Sequence, residues 1–368
     1  MLTGGGARAA YQVGLLRCLA RRRPELRFPI ITGVSAGAIN AAFLAAHPDG
    51  VAEAAHELSR LWGALEFDHI FRVDPGWLFR NFVRWSLRML SGGARMSPEV
   101  RGLMSTQPLR SLLERELADD AGEIQGIARN IEAGQLRAVA LLTVNYATGR
   151  TETWVEGANV ADWERPGRRS RRCRMTIDHV MASASLPLLF PAVELDGAWY
   201  GDGGIRMAEP LAPALHLAAD RILAVSTRYV GDPQPAPPPA RTGYPVPALI
   251  AGNLMNAVFL DALDRDVRVL ERVNRLVEKL EPGEREDLRH IDIVVLRPSQ
   301  DLGRLAADYE RTLPKAFRHL TRGLGTRQTS SPDFLSLLMF HPGYLSRLME
   351  IGERDAAARW SEIDRLLG

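Results

Sequence analysis

The chain has 368 residues, of which 46% are hydrophobic and 24% are charged, and this composition excludes a wholly disordered or fibrous protein. A formal net charge of +2 argues against a dedicated nucleic-acid-binding protein. Two cysteines, Cys18 and Cys173, are too few for a disulfide scaffold or a four-ligand zinc site. We therefore interpret both as free thiols of a protein in a reducing compartment.

Strand-like apolar segments alternate with helix-like segments along the chain. A strand at residues 2–3 opens the sequence, and so short a strand suggests that a few residues are omitted before it. Further strands are predicted at 28–33, 137–146, 151–155, 192–200, 221–227 and 290–297. Helices are predicted at 9–22, 36–46, 51–65, 108–117, 124–133 and 177–185. This alternation predicts a mainly parallel sheet covered by helices.

A proline-rich segment interrupts the alternation at residues 232–247. Its seven prolines exclude a helix or a central strand, and we interpret the segment as a linker or a flap. An amphipathic helix is predicted at 248–281, and the pattern of residues 309–368 is also helical. We predict one main domain over residues 1–300, which includes the proline-rich segment, and a helical C-terminal extension over residues 301–368 packed on it.

Neither a signal peptide nor a transmembrane segment is evident in the sequence. The chain opens without a basic region and an apolar core, and its longest apolar stretch, residues 30–46, contains polar side chains and two glycines. We therefore expect a cytoplasmic protein. The sequence leaves the oligomeric state open.

The motif Gly33-Val34-Ser35-Ala36-Gly37, with the pattern G-x-S-x-G, lies between a predicted strand and a predicted helix. Glycines on both sides permit a tight turn that lifts the Ser35 hydroxyl above the edge of the sheet, as in a nucleophile elbow. The N-terminus of the following helix favours negative charge that develops nearby. The alternative is a packing turn without a chemical role, but the strand–turn–helix context favours a nucleophile.

A second glycine turn, Gly4-Gly5-Gly6, also joins a predicted strand to a helix. Amides without side chains can turn toward an anion, so this turn predicts either a phosphate-binding loop or an oxyanion hole. No Gly-Lys-Ser/Thr sequence follows, which argues against nucleotide binding. Arg8 is a candidate contact for an anionic group or a lipid head group, and a solvated arginine at a helix start is the alternative.

A third element, Asp202-Gly203-Gly204, follows the predicted strand at 192–200. An aspartate between glycines suits a carboxylate that is presented close to the backbone. The alternative for Asp202 is a β-turn residue, since Asp-Gly is a common turn sequence.

Together these elements resemble the patatin-like phospholipases. The glycine turn, the motif around Ser35, the sequence ASASLP at 182–187 and the Asp202 element occur in that family's order. Four ordered motifs are a far more specific signal than any one of them, and the resemblance covers most of the chain. It implies a three-layer α/β/α fold with a mainly parallel central sheet.

The resemblance also implies roles for the residues of the motifs. Ser35 is the expected nucleophile, Asp202 the general base, and the Gly4, Gly5 and Gly6 amides the oxyanion hole. The expected function is a serine acyl hydrolase of the phospholipase A type, which cleaves fatty-acyl esters of lipids through a Ser–Asp dyad and an acyl-enzyme intermediate. This chemistry requires no metal and no cofactor.

Two alternatives to this function stay open. The first is an α/β-hydrolase esterase with a triad of Ser35, Asp202 and either His290 or His341, an order that such enzymes permit. The second is a catalytically weak lipid-binding or scaffold protein with the same fold.

Two segments are candidates for peripheral contact with a membrane. Residues 78–89 form a predicted helix with apolar and aromatic side chains on one face and arginines roughly opposite. Residues 165–174 contain six arginines and no acidic residue, a composition that attracts anionic lipids. The alternatives are a helix that covers the core and a solvated, mobile loop.

Overall fold

A computed structural model describes residues 1–72, 102–119, 121–231, 262–286, 288–314 and 333–368, and the single positions 76, 83, 250, 317 and 318. The strands are β1 (Ile30–Val34), β2 (Ala138–Asn145), β3 (Thr151–Gly157), β4 (Glu164–Arg165), β5 (Arg168–Arg172), β6 (Val193–Leu195), β7 (Ala198–Asp202), β8 (Arg221–Val225) and β9 (Asp292–Leu296).

The α-helices of the described residues lie before, between and after these strands, with five of them between β1 and β2 and none between β2 and β5. They are α1 (Ala10–Arg22), α2 (Ala36–Ala46), α3 (Val51–Gly63), α4 (Phe67–Ile70), α5 (Gln107–Leu117), α6 (Gln125–Glu132), α7 (Ile177–Ser183), α8 (Ala212–His216), α9 (Ala262–Val277), α10 (Leu302–Ala307), α11 (Asp333–Leu337), α12 (Pro342–Ala358) and α13 (Trp360–Leu367). The predicted α/β fold class, a central sheet flanked by helices, is confirmed.

The central sheet is parallel on one side and largely antiparallel on the other. Strands β4, β5, β3, β2, β7 and β6 are neighbours in that order, and β1 pairs with β2 in parallel. Leu2 forms parallel bridges to both Gly33 and Val225, which joins the parallel pair β8–β9 to β1. The connection between β2 and β3 is a short turn, and a short turn can join only antiparallel strands. The parallel pairing that the sequence predicts extends from β9 to β2 and recurs between β3 and β5, whereas the other pairs of the central sheet are antiparallel.

The predicted single strand at 192–200 is wrong, because this segment is the hairpin β6–β7. Asp196 and Gly197 connect the two strands with φ angles of 49° and 75°. Two consecutive positive φ angles at an Asp-Gly pair are typical of a tight hairpin turn. The hairpin directs β7 back toward the centre of the sheet, where it ends at Asp202.

The C-terminal helices share one hydrophobic core with the N-terminal part of the chain. Helix α12 lies along α1, and glycines on both helices permit this close approach. A Cβ added to Gly14 would lie 1.9 Å from the Met349 carbonyl oxygen, and one added to Gly352 would lie 2.0 Å from the Tyr11 carbonyl oxygen. The division into two parts at residue 300 stays a prediction.

Two predicted segments lie outside the described residues: the proline-rich segment 232–247, and the amphipathic helix at 78–89 except for position 83. Most of 248–261 also lies outside them. Within the described ranges, no helix combines the length and the apolar character that a membrane span requires.

Candidate active site

Ser35 occupies a strained turn between β1 and α2. Its φ and ψ angles are 55° and −134°, a conformation that is costly for a residue with a side chain. The flanking glycines allow α2 to approach the sheet closely. A Cβ added to Gly37 would lie 2.4 Å from the Thr3 carbonyl oxygen, and a Cβ added to Gly33 would lie 2.6 Å from the Gly37 carbonyl oxygen. This is the geometry of a nucleophile elbow.

Strand β2 brings Asp202 to Ser35. Along one edge of β2, Val34 at the end of β1 pairs with Leu142, and Asp202 at the end of β7 pairs with the next residue, Thr143. Because β1 is parallel to β2 and β7 is antiparallel to it, the two strands meet end to end. The residue after β1 is Ser35, so the predicted nucleophile and the predicted base lie at one junction.

The carboxyl group of Asp202 is fully buried at this junction. Its Oδ1 atom accepts a hydrogen bond of 2.8 Å from the Gly204 amide. Burial raises the pKa of Asp202 to about 7, although the hydroxyl of Ser35 and then the Gly204 amide favour the charged form and lower it. Among the described residues, no group in ordinary hydrogen-bond geometry reaches Oδ2. This oxygen is therefore available to a proton from the serine.

The glycine turn lies beside the serine. A Cβ added to Gly4 would lie 2.9 Å from Cβ of Ser35 and 3.5 Å from its Oγ. Gly5 and Gly6 have φ angles of 148° and 53°, which side chains disfavour. Within the described part of the chain, none of the three amides donates a hydrogen bond to the protein. The turn thus presents N–H donors next to the predicted nucleophile, as an oxyanion hole requires.

The sequence model of the patatin-like phospholipases matches residues 1–215, more than half of the chain. The matched region contains the glycine turn, the elbow and Asp202. The chain belongs to the patatin-like phospholipase family. This membership supports a lipid hydrolase as the broad class of function.

Two solved structures are similar to the chain at low identity. VipD from Legionella pneumophila is 13% identical with a TM-score of 0.31, and the similarity covers 80% of this chain and 60% of VipD. The type III effector protein ExoU is 16% identical with a TM-score of 0.31, and the similarity covers 99% of this chain and 58% of ExoU. The chain therefore spans less than two thirds of either structure. No curated protein matches it.

Two serines of the ASASLP sequence hold the elbow and the aspartate in place. The Ser183 hydroxyl accepts a 3.0 Å hydrogen bond from the Ser35 amide and donates one of 2.7 Å to the Leu142 carbonyl. The Ser185 carbonyl accepts a 2.9 Å hydrogen bond from the Asp202 amide. In the sequence this segment contributes only to the family resemblance, and its pattern does not show which groups it contacts.

Arg8 lies two residues after the glycine turn, and its side chain is buried. It donates a 2.6 Å hydrogen bond to the Ser336 hydroxyl and forms an ion pair with Asp333 on α11. A Cβ added to Gly6 would lie 2.1 Å from the Leu337 carbonyl oxygen, so α11 packs directly on the turn. The sequence suggests that Arg8 contacts an anionic group. The pairing with Asp333 instead favours a role of Arg8 in supporting the glycine turn.

Within the described residues, neither histidine of the alternative triad is hydrogen-bonded to Ser35 or Asp202. His290 precedes the first residue of β9, whereas Ser35 follows the last residue of β1. Strands β9, β8 and β1 run in the same direction, with Leu2 between β8 and β1, so His290 and Ser35 lie at opposite ends of the strands. The ring nitrogens of His290 lie 3.4 Å from a carboxylate oxygen of Glu278 and 3.3 Å from one of Asp292. His341 caps α12 by accepting a hydrogen bond from the Gly343 amide.

The arginine-rich segment 165–174 is ordered into strands β4 and β5, so its interpretation as a mobile loop is wrong. Five of its six arginines form ion pairs with carboxylates from other parts of the chain. The pairs are Arg168–Glu209, Arg169–Glu152, Arg171–Asp196, Arg172–Asp162 and Arg174–Glu156. The positive charge of the segment is therefore largely balanced within the fold.

Proposed function

We propose that the chain is a serine acyl hydrolase that cleaves fatty-acyl esters of phospholipids or related lipids. The observation that carries this proposal is the junction on β2, where Ser35 in a strained elbow meets the buried carboxyl group of Asp202. The amides of the adjacent glycine turn, which donate to no group among the described residues, complete the set of groups that acyl transfer needs.

The proposed reaction begins with proton transfer from the Ser35 hydroxyl to Oδ2 of Asp202 as Oγ attacks the ester carbonyl. The negative charge on the carbonyl oxygen is stabilised by the amides of the glycine turn. When the tetrahedral intermediate collapses, the alcohol portion of the lipid leaves with the proton from Asp202, and the acyl group stays on Ser35. Water then attacks the acyl-enzyme, with Asp202 as the base, and releases the fatty acid.

The environment of Asp202 suits a general base. A base works best when its pKa lies near the working pH, and burial raises the pKa of Asp202 to about 7. The carboxylate form is then abundant at neutral pH and accepts a proton more readily than an exposed aspartate. We therefore expect the rate of ester cleavage to rise with pH through about 7.

The first test combines a fluorophosphonate probe with a panel of phospholipids, lysophospholipids and neutral lipids. We expect the probe to label the wild-type chain and not Ser35→Ala, and fatty acid to be released only by the wild type. Lipid binding without labelling or release would replace this proposal with the lipid-binding alternative.

His290→Ala and His341→Ala test the catalytic dyad against a triad. Both variants should keep ester hydrolysis close to the wild-type rate, since the described contacts of both side chains are with residues other than Ser35 and Asp202. A folded histidine variant without activity would establish the triad instead.

Exposed apolar side chains lie at the same end of the parallel strands as Ser35, and they support peripheral contact with a membrane. Tyr146 follows β2, Tyr229 and Val230 follow β8, and each is at least 40% exposed. Because Tyr229→Ser/Val230→Ser removes part of this surface, it should reduce association with phospholipid vesicles. The matched control is Val269→Ser/Leu276→Ser on α9, whose side chains are also exposed. Equal vesicle binding of both double variants would contradict the contact.

A further inference from the structure

Thr227 connects the end of β8 to the glycine turn. Its side chain is fully buried, and its hydroxyl donates a hydrogen bond of 2.7 Å to the Gly4 carbonyl. The contact follows from the register of the sheet, because Leu2 bridges Val225 in parallel and Gly4 and Thr227 each lie two residues further on. Thr227 therefore contacts the turn at the peptide that joins Gly4 to Gly5.

This hydrogen bond determines which way the Gly5 amide points. In a planar trans peptide the C=O and the following N–H point in opposite directions, and the described residues contain no cis peptide. Since Thr227 holds the Gly4 carbonyl on one side, the Gly5 N–H is directed to the other side. That N–H donates no hydrogen bond to the described part of the protein.

Glycine is required at position 5 for the same contact. A Cβ added to Gly5 would lie 2.4 Å from the Thr227 hydroxyl oxygen, and the Gly5 φ angle is 148°. The neighbouring Gly4 packs against Ser35, so the orientation of this peptide is set next to the nucleophile. Thr227 itself lies beyond the region 1–215 that the family model matches.

We propose that Thr227 is a positioning residue that orients the Gly5 amide of the oxyanion hole. The inference rests on the proposed acyl-hydrolase function. Because Thr227 is fully buried, it acts through the Gly4–Gly5 peptide and not by direct contact with the substrate. Without the Thr227 hydroxyl, the Gly4 carbonyl keeps only a 3.5 Å contact from the Thr3 hydroxyl, which also donates at 3.0 Å to the Val225 carbonyl. The peptide can then rotate its N–H away from the oxyanion.

The experiment compares Thr227→Val with Thr227→Ser in the full chain, with an ester substrate that the wild type hydrolyses. Loss of a whole oxyanion donor costs roughly 10²–10³ in kcat, so a misdirected donor should lower kcat of Thr227→Val by about 10- to 100-fold. KM should stay within about twofold, and Thr227→Ser should keep kcat within about threefold because it retains the hydroxyl.

Thr151→Val is the control for stability. Thr151 is also buried and also donates its hydroxyl to a backbone carbonyl, that of Arg206, but it lies on β3. The rate constant of fluorophosphonate labelling is measured for each variant. It reports the reactivity of the folded molecules and does not depend on what fraction of the sample is folded. We expect slow labelling only for Thr227→Val.

The outcomes separate this inference from the proposed function. Wild-type kcat and labelling in Thr227→Val, or an equal loss in Thr227→Ser or Thr151→Val, would overturn the role of Thr227 while the function stands. A wild-type chain that neither hydrolyses esters nor reacts with the probe would refute the proposed function itself.

Discussion

The two glycine turns of the site each connect a segment of the sheet to a helix, but their backbone amides are used in opposite ways. At the elbow, the Ser35 amide is bonded to Ser183 within the region that the family model matches. In the glycine turn, the Gly4, Gly5 and Gly6 amides donate to no group in the described part of the chain, and the turn is held by contacts from Thr227 and α11, which lie beyond the matched region. A turn that positions a nucleophile can use its own amide for support, whereas a turn that supplies donors must be supported through its carbonyls and its packing.

The largest effect on kcat is expected for Asp202→Asn, which tests the proposed base and not the residues that support the two turns. Asp202→Asn keeps the shape of the side chain but removes its ability to accept the serine proton. We expect kcat for ester hydrolysis to fall by about 10²–10⁴, the usual contribution of a general base. Circular dichroism and lipid binding of the variant should match the wild type. Activity within tenfold of the wild type would show that the elbow does not depend on this carboxylate.

The second prediction concerns the support of the elbow and uses two serines of one motif. Ser183→Ala removes the acceptor of the Ser35 amide, whereas Ser185→Ala removes only a hydroxyl that bonds to the Met181 carbonyl in α7. We expect kcat to fall by roughly tenfold in Ser183→Ala, since small displacements of reacting groups are costly, and to stay within about twofold in Ser185→Ala. Equal kcat values for the two variants would contradict the role of Ser183.

The third prediction concerns the support of the glycine turn. Asp333→Asn removes the charge that pairs with the buried Arg8, and hydrogen bonds to charged groups contribute about 1.5–3 kcal/mol. We expect a lower melting temperature and a kcat reduced several-fold. Glu350→Gln is the matched control, because the Arg347–Glu350 pair on α12 is exposed and such pairs contribute less than about 1 kcal/mol. A similar response of both variants would mean that α11 does not support the turn.

The last prediction concerns the pH dependence of stability rather than the rate of ester hydrolysis. The pKa of Asp202 rises from an ordinary value of 3.8 to about 7 on folding, so the folded state binds more protons between these values. The free energy of unfolding should therefore fall as pH rises from about 4 to about 7. Asp202→Asn has no such group, so its melting temperature relative to the wild type should increase across this window. A constant difference would argue against the raised pKa.

The residues proposed to perform the chemistry were predictable because glycines and small residues surround them in short segments. The G-x-S-x-G pattern and the glycine turn each record a local backbone requirement, which the structure places at Ser35 and at Gly4–Gly6. Asp202 was predictable through the family resemblance, although the hairpin that delivers it was missed because the Asp196-Gly197 turn was read as part of one strand.

The supporting residues were not predictable in this way. Thr227 and Asp333 look like any other polar residues in the sequence, and their contacts depend on the register of Leu2 with β8 and on the packing of α11. The arginines of 165–174 show the same limit, because their carboxylate partners come from other segments. Contacts between distant segments leave little trace in local composition.

The end-to-end meeting of β1 and β7 on β2 has a consequence for how the protein acquires activity. A shift of either strand by one residue would open the junction by about 3.3 Å, and a shift of β7 would also turn Asp202 to the other face of the sheet. Both pairings join segments that are distant in sequence, and such contacts form slowly during folding. Reactivity of Ser35 toward a fluorophosphonate during refolding should therefore appear only after the sheet is complete, which makes the nucleophile a built-in reporter of the final folding step.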